Sequence, residues 1–175
     1  MHPIIKPQLS MKKLFFVFIV LTLFAINAKG QHERLQANYI YNIVKYIEWP
    51  AAYKTGDFVI GVLGNSPITK ELKKLAETKK VFNQKISIVE FSSTDQITKC
   101  HVLFISALNS GLINLVVAKV GSNATLIIGE TEGLATQGAG INFIKQEDVL
   151  SFQLNEVSIK KRGLLVDSKL KSLAL

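Results

Sequence analysis

Residues 58–63, Phe58-Val59-Ile60-Gly61-Val62-Leu63, run without a single polar side chain, and this limits the available folds more than any other feature of the chain. A strand with one wet face alternates apolar and polar residues. A continuous apolar run of this length is a strand covered on both faces, as in a parallel sheet flanked by helices. Residues 102–106 repeat the pattern, apolar until Ser106; residues 124–129 nearly do, and residues 85–91 supply a fourth strand. The intervals between these runs have helical spacing. Gly64-Asn65-Ser66-Pro67 stops the first run, with Ser66 placed to cap a helix and Pro67 to take its first position. Residues 68–78 are then expected to be helical, with Leu72 and Leu75 inward and Lys70, Lys73, Lys74, Lys79 and Lys80 on the wet side. Leu112, Leu115, Val116, Val117 and Val120 mark another helix that ends near Gly121. Successive units of this kind make right-handed crossovers.

The remainder of the chain reads differently. Residues 140–145 and 149–154 alternate, and Gln146-Glu147-Asp148 joins them as a hairpin, so the sheet is expected to be mixed. Asn155 is placed to cap a helix containing Val157 and Ile159, and Asp167-Ser168 to start one with Leu170, Leu173 and Leu175. Upstream, Ile40, Ile43, Val44 and Ile47 recur at i, i+3, i+4 and i+7, an apolar stripe on a helix that Trp49-Pro50 would close. Tyr39, Asn42 and Tyr46 form a second face beside it, so this helix is wedged into a domain. The expected architecture is a single α/β domain: a mixed, mostly parallel sheet with helices on both faces and a C-terminal antiparallel hairpin.

Met11-Lys12-Lys13, the 13-residue apolar run from Leu14 to Ile26, and Ala28-Lys29-Gly30 have the anatomy of a secretory signal peptide. At roughly 20 Å of helix the run is short for a bilayer core of about 30 Å. Residues 1–30 are therefore expected to be a leader, cleaved before Gln31, with residues 1–10 an upstream extension of the start at Met11. Residues 31–175 form the domain, without a membrane span, in the periplasm. The leader holds four of the 21 basic residues and no acid, which leaves 17 basic against 13 acidic residues. That balance is too even, and Lys160-Lys161-Arg162 too short a cluster, for a nucleic-acid partner. Cys100 is the only cysteine. At the start of an apolar strand it is expected to be buried, the alternative being a disulfide with another chain.

Several stretches together resemble the YfiR-like family of exported bacterial proteins. They are Tyr41-Asn42-Ile43-Val44-Lys45-Tyr46-Ile47-Glu48-Trp49-Pro50, the strand and turn from Phe58 to Pro67, Lys99-Cys100-His101-Val102-Leu103-Phe104-Ile105, Gly138-Ala139-Gly140-Ile141-Asn142-Phe143, and the C-terminal segments after Phe152. The resemblance implies a periplasmic regulator without catalysis, a homodimer that restrains an inner-membrane signalling enzyme such as a diguanylate cyclase and so lowers cyclic di-GMP, or that acts on a sensor kinase. Cys100 has no partner within the chain, so control by an internal disulfide does not carry over.

The residues themselves show no catalytic constellation. Cys100 and His101 are neighbours on a strand and point to opposite faces, so they are not a nucleophile and its base. Two histidines and one cysteine spread over 70 residues of the domain lack the close pairs of a zinc site, and Glu130 and Glu132 read as a solvated turn. No cofactor and no metal is expected. If a small ligand binds, the crevice at the carboxyl ends of the parallel strands is its place, which nominates Asn65, Ser66, Ser106 and Glu130. For a protein partner, the opening helix nominates Tyr41, Lys45, Glu48 and Trp49. Three functions follow: a regulator that binds a membrane signalling protein, a small-molecule sensor, and a hydrolase with an unrecognised site.

Overall fold

The computed structural model describes residues 30–146 and 149–175. Residues 1–29, nearly all of the expected 1–30 leader, and Glu147 and Asp148 of the expected hairpin connection lie outside the described residues. A seven-stranded sheet forms the centre. Its strands β2 (Phe58–Leu63), β4 (Gln84–Phe91), β5 (Val102–Ile105) and β6 (Leu126–Gly129) run parallel, with β2 between β4 and β5. Strand β7 (Ile141–Gln146) joins β6 in parallel, and β8 (Val149–Leu154) pairs antiparallel with β7. At the opposite edge the short β3 (Lys80–Val81) pairs antiparallel with β4. A separate two-stranded ribbon joins β1 (Ile47–Glu48) to β9 (Leu165–Val166).

The apolar runs bury both faces, as their composition requires. Phe58, Ile60 and Val62 of β2 belong to one core with Val102 and Phe104 of β5 and Leu126 and Ile128 of β6. That core is covered by α1 (residues 30–43), α2 (Ile68–Thr78), α4 (Glu156–Lys161) and α5 (Ser168–Leu173). Leu63, Leu103, Ile105 and Ile127 point the other way into a second core beneath α3 (Ile113–Val120). The expected single mixed α/β domain holds. Asn155 caps α4 by accepting from the Ser158 N–H at 2.9 Å, and Asp167 caps α5 by accepting from Lys169 N–H at 2.7 Å.

The structure departs from the sequence reading at several places. The opening helix ends at residue 43; Val44–Tyr46 form a 3-10 turn, and Ile47 is extended, paired with Val166. Ile40, Ile43, Val44 and Ile47 are nonetheless all buried, because the stripe is continued by a strand in place of a last helical turn. The partner strand lies over a hundred residues downstream, so the local helical period gives way to tertiary pairing. Ser66 makes no side-chain cap on α2, whose N-cap residue is Pro67. Lys79 is the extended C-cap of α2 and Lys80 begins β3, so neither lies on the wet side of the helix as its spacing suggests. In α3, Leu115 faces solvent and Ile113 takes the inner position, since the helix starts a turn later, after the 3-10 segment Ala107–Leu112. Leu173 and Leu175 are likewise exposed, while Leu170 alone of that set is buried.

Candidate functional site

A cleft floored by aromatic rings lies at the amino ends of the central strands. Phe58 begins β2 and His101 directly precedes β5; both rings, with Trp49, line a cleft of about 580 Å³. Trp49 reaches it because β1 carries the chain across the sheet's amino edge. Its indole N–H donates to the Ala124 carbonyl at 3.1 Å, and its ring meets Phe58 edge-on at 5.2 Å. The His101 imidazole stacks on Phe58 at 4.3 Å and meets Tyr53 edge-on at 5.3 Å. The walls above this aromatic floor come from Lys45, Tyr46, Glu48 and Lys54 on one side and Phe82 to Gln84 on the other, with Leu165 to Asp167 closing an end. Gln84 holds its wall in place by donating to the carbonyls of Tyr53, Thr55 and Gly56.

His101 is committed to structure. The Val59 N–H donates to Nδ1 at 3.0 Å, which leaves that nitrogen unprotonated and puts the ring hydrogen on Nε2, 2.7 Å from the Tyr53 carbonyl. Burial pushes its pKa down, the Tyr53 carbonyl opposes this, and nearby Lys99 adds to the lowering. Cys100 points to the opposite core, and burial raises its thiol to about 12. It is a buried free thiol, as expected. Neither group is poised for nucleophilic or acid-base work.

The interface candidates fall at this cleft. Lys45, Glu48 and Trp49 line it, and Tyr41 stands beside its rim with its hydroxyl 3.4 Å from the Lys80 carbonyl and the Lys45 ammonium over its ring at 3.7 Å. Trp49, however, is 3 % exposed, so it serves as floor and not as a surface anchor. The exposed apolar groups of the rim are Phe82 and Leu165, which the sequence reading missed. Their signal was weak: each belongs to a two-residue strand or its turn, too short to show a period.

Two of the four ligand candidates at the carboxyl ends, Glu130 and Ser106, are engaged by internal side-chain hydrogen bonds. Glu130 accepts from the Ala107 N–H at 2.7 Å and from Gln36 Nε2 at 2.8 Å. The turn read after this strand is present, with Glu132 exposed in it, while Glu130 is tied to the protein. Asn109 donates to Ser106 Oγ at 3.0 Å and to the Leu63 carbonyl at 3.1 Å. Gly64, at φ +79°, is needed here, because a Cβ would collide with that Asn109 amide. Ser66 is buried and Asn65 exposed, and neither lines the cleft. Among the described residues, no three or more His, Cys, Asp or Glu side chains come together as a metal site.

A family model described as YfiR/HmsC-like (DUF4154) matches residues 33–175. The chain belongs to the YfiR/HmsC-like family. A search of curated proteins finds no significant match. The match places the whole cleft inside the YfiR/HmsC-like domain, because every wall residue falls within it. Among the described residues of this YfiR/HmsC-like chain, no helix is long and apolar enough to cross a membrane.

Proposed function

We propose that this YfiR/HmsC-like protein is an exported, periplasmic regulator that binds the outward-facing part of an inner-membrane signalling enzyme, such as a diguanylate cyclase or a sensor kinase, and restrains it. Family membership supports the regulatory role. The cleft is the observation that carries the binding site: an aromatic floor held by internal hydrogen bonds, between rims that expose Phe82 at 62 % and Leu165 at 57 %. A preformed apolar recess with a charged border is what a protruding apolar side chain of a partner needs to bury. Restraint then requires only that the partner's inactive state bind more tightly, since a ligand shifts an equilibrium by its differential affinity. The protein is not an enzyme in this proposal, a reading supported by His101 and Cys100, both engaged or buried.

Capture from envelope extracts tests it. The wild-type chain is expected to retain a membrane signalling protein, and Leu165→Asp at the rim to lose it while remaining folded. Retention of no such protein by the folded wild type sinks the proposal. Homodimerisation, the arrangement the resemblance implies, is checked on the same preparation by sedimentation velocity. The second function is a small-molecule sensor, which the cleft's volume favours because it lies within the range of small-ligand sites. Calorimetric titration with and without Leu165→Asp separates the two, a ligand responding to the floor and a protein to the rim.

A further inference from the structure

The turn between β3 and β4 combines two features that each work against folding. Phe82 has φ +51° and is the one non-glycine residue with positive φ among the described residues. In a two-residue turn with positive φ at the first central position, glycine is the favoured residue, and a bulky aromatic there is strained. Directly behind it, the pairing register sets Lys80 opposite Lys85, and like charges facing each other across a strand pair repel. Lys79 extends the same cluster. All three lysines are exposed, and among the described residues none makes an ion pair or side-chain hydrogen bond. The acids nearest along the chain, Glu77 and Glu90, do not pair with them among the described residues, and Glu90 is taken by Lys73 at 2.8 Å. The turn is firmly mounted, since Val81 is fully buried and the Gln84 amide is tied to three carbonyls. With Val81 inward, Phe82 is forced out into solvent.

We propose that this turn is a contact for an anionic membrane surface, with the Phe82 ring entering at headgroup level and Lys79, Lys80 and Lys85 meeting lipid phosphates. Cations near such a surface are attracted to it, and an aromatic ring at its centre gains from the apolar boundary below. The lysine repulsion that folding leaves standing is relieved by the opposing charge. A turn with one exposed aromatic ring and three cations suits a soft, anionic surface. The inference does not depend on what occupies the cleft.

Sedimentation of the full chain with phosphatidylglycerol vesicles, compared with phosphatidylcholine vesicles, is the test. Wild type is expected to partition to the anionic vesicles and to be released as salt rises. At about five-fold per lysine, Lys80→Gln with Lys85→Gln lowers that partitioning roughly 25-fold. Phe82→Gly lowers it several-fold while raising the melting temperature, a combination that misfolding cannot produce. An apolar N-terminal segment would hold the chain to both kinds of vesicle, so the partitioning compared between variants is the excess on phosphatidylglycerol over phosphatidylcholine. Failure of the wild type to bind phosphatidylglycerol, or equal binding by the variants, overturns the proposal. So does retention on immobilised polyglutamate without vesicle binding, which would assign the turn to an acidic protein.

Discussion

The two ends of the parallel strands use their residues in opposite ways. At the carboxyl ends, polar side chains close the sheet: Glu130 takes up the Ala107 N–H and the Gln36 amide, and Asn109 bridges Leu63 and Ser106. At the amino ends, rings form a floor and leave about 580 Å³ above it open. Open α/β sheets ordinarily offer their crevice at the carboxyl side. Here that side is occupied by the protein's own hydrogen bonds, and the recess has moved to where the β1 and β9 ribbon crosses the opposite edge. A strand end becomes a site only if its polar groups are left for something else to satisfy.

The largest expected effect tests the floor. Trp49→Ala removes a buried indole, its contact with Phe58 and its bond to the Ala124 carbonyl, and is expected to cost about 3–5 kcal/mol in urea unfolding. A loss under about 1 kcal/mol would mean that the floor is soft, and the contrast between the ends would break. Next in size, Glu130→Ala should cost roughly 1–2 kcal/mol, because two donors lose a charged acceptor at a partly exposed site. Unchanged or raised stability would instead mark Glu130 as a residue held for a ligand, and would reopen the carboxyl ends as a site.

The smallest effect is in pH. His101 has its pKa lowered in the folded chain by burial, so the unfolded state binds the proton more readily. Its contribution to stability is complete above the ordinary histidine value of about 6.5 and is lost as pH falls from there through the lowered folded value. Protonation would also put a hydrogen on Nδ1, facing the Val59 N–H that now donates to it. Unfolding free energy measured from neutral to mildly acid pH should therefore decline, with a shallower slope in His101→Gln. Equal slopes in the two chains would remove His101 from this role.

Much of the scaffold was legible in order along the chain. The apolar runs announced strands covered on both faces, α2 spans the residues its spacing indicated, and Asn155 and Asp167 cap the helices they precede. The candidate site was legible only in part. Lys45, Glu48 and Trp49 were nominated together and do line one cleft, yet Trp49 is its floor. Phe82 and Leu165 gave no signal, since strands of two residues carry no periodicity to recognise.

The sequence by itself determined which segments must be buried, because the side chains that avoid water are the same in any arrangement: Phe58 to Leu63 inside, the lysine-rich face of α2 outside. Only the tertiary structure decided that Ile47 would be a strand, that Glu130 would be spent on Ala107, and that Phe82 would project beside two facing lysines. The first two of those outcomes depend on a partner distant in sequence, and the third on a hairpin whose first strand is too short to carry a period. Pairing energy between remote segments is a property of their juxtaposition, and local composition does not contain it.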